Sequence, residues 1–295
     1  MKKAYIQMHV AILLWGFTAI LGKLISMDEG LLVWYRMLLS TLATFIYLLA
    51  IKKQQLLPLK ELLKIAGIGA VITLHWITFY GAIKASNVSI AISCFSSIAL
   101  FTALLDPLIN RKLPKYSEVL LGIGVMIGIY IIFSVQQLYL KGIVLSLISA
   151  FLASLFTIMN KTMGEKYDPA LLTFYELGTG FLLLTLGLPI WFSINETTFS
   201  IPDFRDFTSL IVLSVFCTTF AFTLSLHALK KLDPFTMNLS VNLEPLYSIV
   251  LAILIFHEDK MLNSGFYIGS LIILGAVVTH GFFKLKNKKF ATTSS

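Results

Sequence analysis

Glu244 stands inside "VNLEPLYSIV" (Val241–Val250), part of an apolar stretch long enough to cross a bilayer, with Pro245 directly after it. An ionised carboxylate at the centre of a membrane helix costs about 3 kcal/mol even on the lenient insertion scale, so it should face protein or a wet cavity rather than lipid. Pro245 cannot donate to the carbonyl of Val241, which frees that oxygen for a solute, an ion or water. Ten residues into its span, Glu244 is ~15 Å deep in a hydrocarbon core ~30 Å thick. Ser240, Tyr247 and Ser248 fall within about 60° of it around a regular helix, whereas Asn238 and Asn242 fall on another face. The chemistry that suits this stretch is reversible binding of a polar solute. Glu244 could also carry a coupling proton or ion, and Pro245 marks a helix break where the path could gate.

Other groups could share that task. Arg36 and Glu176 are the two remaining ionisable residues well inside apolar segments, about 8 Å from one surface and about 9 Å from the other. That separation argues against a pair, so each lines its own half of a path or binds locally. Arg36 could equally snorkel toward the interface beside Trp34 and Tyr35. His75 stacks at i, i+4 with Phe79, next to Trp76 and Tyr80, and Trp15 lies in an earlier segment with Gly16 and Gly22. Such aromatic side chains serve packing or recognition. Ser86, Ser89, Ser93 and Ser96 recur every three or four residues, a polar stripe that either lets helices approach closely or lines a path.

These residues need elements that hold them at depth. The chain has 295 residues, 57% hydrophobic and 13% charged, against about 25% charged in ordinary soluble domains. Each crossing takes roughly 20 apolar residues. Cutting the chain at charge, Pro and Asn gives ten spans: Ala4–Ile25, Leu31–Ile51, Leu62–Ile83, Val88–Ile109 and Ser117–Phe133, then Gly142–Met159, Ala170–Phe192, Phe207–Leu229, Pro234–Phe256 and Asn263–Phe283. Long apolar runs without period-two alternation exclude a barrel and predict an all-α membrane protein. The excess of +8 charge lies in short connections, with no interleaved aromatic surface for nucleic acid. Of the 23 Lys and Arg, all but Lys23, Arg36, Lys84, Lys141, Arg205 and Lys260 fall on one side when the N-terminus is cytoplasmic. The positive-inside bias therefore predicts both termini in the cytoplasm. Cys94 and Cys217 stand alone in separate spans, so neither a disulfide framework nor a zinc spacing is present.

The two halves resemble each other weakly. "DEGLLVWY" from Asp28 aligns with "DPALLTFY" from Asp168, and Leu100-Phe101-Thr102 faces Leu246-Tyr247-Ser248. Equivalent spans lie five apart. A five-helix unit copied in tandem must enter the membrane the opposite way the second time, which predicts inverted repeats around a midplane site. "GVMIG" (Gly124–Gly128) and "GFYIG" (Gly265–Gly269) are GxxxG patterns at matching positions, suited to close packing.

"LLWGFTAILGK", "WYRMLLSTL", "FYGAIKASNVSIAISCFSSIALFTALL" and "LEPLYSIVLAILIFHED" together resemble the drug/metabolite transporter superfamily, and within it the ten-helix EamA-domain group. The resemblance covers nearly the whole chain. It implies two EamA-like five-helix repeats, residues 1–134 and 141–284, followed by a basic, disordered tail over 285–295, with spans 5 and 10 as buttresses outside a central cavity. It also implies an exporter of amino acids or related metabolites in the cell inner membrane.

Rival functions find less support. No HExxH, GxSxG or paired intramembrane Asp suggests an enzyme, and no ring of like charge or filter-like loop suggests a channel. A polyprenyl-lipid carrier translocase is the main alternative, on the ground that related small families handle such lipids. No Gly-rich phosphate loop follows a strand, so neither ATP nor any cofactor is expected. The expected carrier is a monomer or weak homodimer that takes a small-molecule substrate, with protons or another ion as candidate coupling partner. Its candidate site comprises Glu244, His75, Trp15, Trp76, Phe79, Tyr80, Arg36, Ser93, Ser240, Asn242 and Tyr247, with Pro245 as the helix break.

Overall fold

A computed structural model describes residues 1–133, 139–244 and 264–293, all helical or in short connections, with no strand among them. The helices are α1 (Lys2–Leu24), α2 (Glu29–Ile51), α3 (Leu59–Ala85), α4 (Val88–Phe95), α5 (Ile98–Ile109), α6 (Tyr116–Phe133), α7 (Leu140–Lys166), α8 (Pro169–Asn195), α9 (Phe204–Ser214), a π-helical segment Val215–Phe220, α10 (Ala221–Leu229), α11 (Pro234–Val241) and α12 (Ser264–Thr293). Among the described residues seven helices are long and apolar enough to cross a membrane, counting Val88–Ile109 and Phe204–Leu229 as continuous; Tyr116–Gly128 and Tyr267–His280 are shorter apolar stretches. Large apolar side chains such as Ile46, Leu108 and Leu186 are mostly exposed on the outside of the bundle, as lipid contact requires.

Short polar residues begin the helices. The Asp28 carboxylate accepts from the N–H groups of Gly30 and Leu31, and Asp168 accepts from Ala170, so the aligned Asp residues of the two similar stretches do the same capping work. Asn87, Asp203 and Asp233 cap α4, α9 and α11 in the same way. Pro169 and Pro234 occupy first-turn positions, where the missing N–H is not needed. At Asp168, burial works to raise the carboxyl, but the hydrogen bond and charge of Lys53 and the Ala170 N–H outweigh it and hold it below its ordinary value.

Two expected spans are internally broken. The fourth bends at Ser96–Ser97, and the eighth passes through the π-helical turn, where the Thr218 hydroxyl donates to the Leu213 carbonyl five residues back at 2.7 Å. Hydroxyl groups that bond back to the chain compete with regular helix pairing. The tenth element differs at its end: α12 continues to Thr293, beyond Phe283, because the Lys-rich stretch contains good helix formers and neither Pro nor Gly after Gly281.

Packing interleaves the two halves. The most extensive contacts are α3 with α7, α6 with α12, α2 with α8, α3 with α8, and α1 with α10. The two GxxxG stretches meet: a Cβ on Gly128 would lie 2.7 Å from the Gly269 carbonyl oxygen. Only glycine permits that approach. Around the central space, α1, α2, α3, α7, the π-helical segment, α10 and α11 form the wall, and the short α4 and α5 complete it through Phe95 and Ile98.

Candidate functional site

Glu244 follows directly on α11, after a turn at Asn242–Leu243. It is buried in the wall of a central cavity of about 80 Å³ that also takes in Arg36, His75, Trp15, Trp76 and Phe79. Six of the residues singled out from sequence thus converge on one space. Five helices from the first half of the chain and four elements from the second contribute to it.

Arg36 is held on three sides. Its guanidinium lies 3.8 Å over the Trp76 ring, its Nε donates to Thr218 Oγ1 at 2.8 Å, and its Nη1 donates to the Tyr80 hydroxyl at 2.6 Å. The residue is 1% exposed, which rules out snorkelling. The three partners are neutral, and Glu244 shares the cavity wall with Arg36. Tyr80 is itself locked in place, because α1 passes at Gly22 so closely that a Cβ there would lie 2.3 Å from the Tyr80 ring. Tyr80 therefore positions Arg36 from behind the wall rather than forming part of it.

His75 is tied to α7, its Nδ1 3.0 Å from the Ser149 carbonyl oxygen and 2.8 Å from the Ser149 hydroxyl. Its ring packs among Phe79, Phe95 and Phe156. The middle of the cavity is consequently aromatic, and polar groups sit at its margins. Arg36, Thr218 and Cys217 lie on one flank, and Asn160, Asn238 and Ser225 also reach the wall.

The remaining expected residues are placed differently. Ser93 is buried in α4 away from the cavity wall, its hydroxyl without a partner among the described residues. Ser240 is half-buried and outside the wall. Asn242 is buried with neither amide atom paired among the described residues, at the turn that ends α11. The regular-helix geometry assumed for this stretch fails at that turn, and Asn238, expected on another face, lines the cavity together with Glu244 while donating to Thr102 Oγ1 at 2.8 Å. Pro245, Tyr247 and Ser248 lie outside the described residues.

Sequence reasoning missed Thr218, Asn160, Phe156 and Phe222. The first depends on the π-helical turn, which the residues did not announce. Asn160 had a legible signal, being polar one residue beyond a span cut at Met159, but polarity was read as an ending whereas α7 runs on to Lys166.

One end of the cavity is closed by contacts between the halves. The Ser26 N–H and hydroxyl both donate to the Asp206 carboxylate, the hydroxyl at 2.7 Å. Beside them Lys84 donates to the Met27 carbonyl, and Trp191 Nε1 donates to Asp28 Oδ1 at 2.9 Å. At the opposite end Lys53 pairs with Asp168 at 2.6 Å, Lys166 with Glu61 at 3.6 Å, and the Tyr175 hydroxyl donates to the Gln55 carbonyl. The described residues contain no group of three or more His, Cys, Asp or Glu able to hold a metal.

Comparison with known proteins gives a consistent picture. The EamA-like transporter family matches residues 2–134 and again 140–281. A protein of Archaeoglobus fulgidus named as an uncharacterized transporter is 26% identical over 288 residues, covering 94% of this chain and 96% of that protein. A crystal structure titled only as that of a protein superposes with a TM-score of 0.70 at 16% identity, over 94% of this chain and 96% of the other. At that identity the superposition speaks for the fold alone.

Proposed function

The chain belongs to the EamA-like transporter family, and from that premise we propose that it is a secondary carrier exporting amino acids or related small metabolites by alternating access. Ten helices in two inverted five-helix repeats, residues 1–134 and 141–284, surround the cavity in this reading. The protein sits in the inner membrane with both termini cytoplasmic, so the end bearing Ser26 and Asp206 is the outer one. Two observations support the inverted arrangement. The family match falls twice, in tandem. Contacts also come in swapped pairs: α3 with α7 is answered by α10 with α1, and α2 with α8, like α6 with α12, joins equivalent helices of the two halves. A two-fold axis in the membrane plane produces that pattern.

The convergence of Glu244 and Arg36 on one cavity built from both halves carries the proposal. A fixed cation and a fixed acid in an aromatic-walled space suit a small solute that bears charge of its own. Because Arg36 already has two neutral acceptors and Glu244 nearby, an arriving carboxylate would exchange with Glu244 for the guanidinium. That exchange links solute binding to the turn at Asn242–Leu243 that carries Glu244. Movement of the halves then passes the solute from one side to the other.

The test is solute counterflow in proteoliposomes, with substrates drawn from a growth-resistance screen over amino acids and their toxic analogues. Saturable exchange by the wild type and its loss or uncoupling in a folded Glu244→Gln variant are expected. Exchange by Glu244→Gln that matches the wild type across the pH range contradicts the assignment. Unsaturable flux would instead indicate a channel, and product formation an enzyme.

A further inference from the structure

Behind the cavity wall lies an acid that the carrier reading leaves without a task. Glu176 in α8 is 0% exposed, and seven residues after Pro169 it stands ~10 Å along its helix. Asn160, six residues before the end of α7, stands at a matching level ~9 Å from that end. It is 1% exposed and forms part of the cavity wall. Asn160 Nδ2 donates to Glu176 Oε2 at 3.4 Å, long for a charge-assisted bond. Glu176 Oε1 and Asn160 Oδ1, both buried, have no donor among the described residues. Roughly 90% or more of buried polar atoms are paired, so two orphaned acceptors side by side call for an explanation.

Glu176 cannot be relieved by a shift of α8. The α3 backbone crosses α8 so tightly that a Cβ on Gly69 would lie 2.4 Å from the Glu176 carbonyl oxygen, and one on Gly180 would lie 3.0 Å from the Gly69 carbonyl oxygen. The Glu176 backbone is thus fixed beside the cavity, and what the pair lacks is a donor. A proton on Glu176 Oε1 could donate to Asn160 Oδ1 and pair the two acceptors with each other while the solute is away. A primary ammonium brings three N–H donors together with the charge. The cavity also offers Arg36 from the equivalent position of the other half, so a solute with an acidic group at one end and an amine at the other meets complementary charge at both.

We infer that Asn160 and Glu176 form an ammonium-binding subsite at the inner end of the cavity, receiving the amino group of the transported solute. This rests on the carrier reading and specifies its substrates as primary amines. In the state described both oxygens are covered, and the Asn160 amide swings aside as the inner half opens.

The probe is dansylcadaverine, a fluorescent primary amine with an apolar body, titrated at pH 7 against the purified full-length protein and competed with hexylamine or hexanoate. Saturable binding displaced by hexylamine and not by hexanoate is expected. Glu176→Gln should weaken it by about tenfold or more, the scale of one charge-assisted bond, while Glu165→Gln, which removes an exposed carboxylate near the same end of α7, leaves it unchanged. Asn160→Asp, which adds a second acid at constant volume, should tighten it, and this variant decides the matter if Glu176→Gln does not yield monodisperse protein. Wild-type affinity in Glu176→Gln, or unchanged or weaker affinity in Asn160→Asp, overturns the subsite. Saturable counterflow by a wild type that binds no amine overturns it as well and leaves the carrier standing. Absence of both counterflow and amine binding removes the carrier reading, and the subsite with it.

Discussion

A guanidinium inside a bilayer is tolerated only where its donors are satisfied and its charge is answered, and Arg36 meets both conditions with side chains from α3 and the π-helical segment. Lysine is no substitute, because an ammonium neither lies flat on Trp76 nor forks toward Tyr80 and Thr218. Each hydrogen bond to a charged group is worth about 1.5–3 kcal/mol. Arg36→Lys is therefore expected to lower exchange by about tenfold or more, with the protein still monodisperse by size-exclusion chromatography; full activity in that variant would show that the fork does not matter. At this scale much was legible in the sequence. Glu244, Arg36, His75, Trp15, Trp76 and Phe79 stood out because ionisable and large aromatic groups at membrane depth have few places to go, and they share one cavity. Ser93 and Ser240 stood out for a weaker reason. A small hydroxyl can bond its own helix and needs no cavity, so polarity alone did not place it.

Helix boundaries were harder to read than helix existence. Asn160 lay just past an expected end that proved to be mid-helix, since one polar residue interrupts an apolar run without breaking the backbone. The π-helical turn at Val215–Phe220 was hidden for the opposite reason: its residues are ordinary, and only the five-residue hydrogen bond of Thr218 reveals it. That turn brings Cys217 and Thr218 to the wall, in keeping with the frequent occurrence of such bulges at functional sites. The glycine pattern of α6 and α12 was plain, because close crossing leaves a regular trace. Gly128→Leu should force the two helices apart at the Gly269 carbonyl, costing about 1–3 kcal/mol as overpacking does and lowering the melting temperature in detergent. Gly124→Leu, where nothing lies within 4 Å, should leave it unchanged. Equal effects from both would mean that this crossing does not support the bundle.

For the whole molecule, the central claim is that closing one end of the cavity and opening the other are a single event. Contacts between the halves exist at both ends: Ser26 with Asp206 at the one proposed as outer, Lys53 with Asp168 and Lys166 with Glu61 at the one proposed as inner. A carrier must break one set to use the other. Cys217 in the cavity wall is a native reporter of which end is open, once Cys94 is replaced by Ala. The most direct measurement locks the outer end with a disulfide between Ser26→Cys and Asp206→Cys and follows modification of Cys217 by a membrane-impermeant thiol reagent from each side of oriented vesicles. The account predicts that the lock suppresses modification from outside by about tenfold or more, while modification from inside persists or quickens, and that reduction of the disulfide reverses both. Outside modification untouched by the lock, or suppression from both sides together, would contradict it.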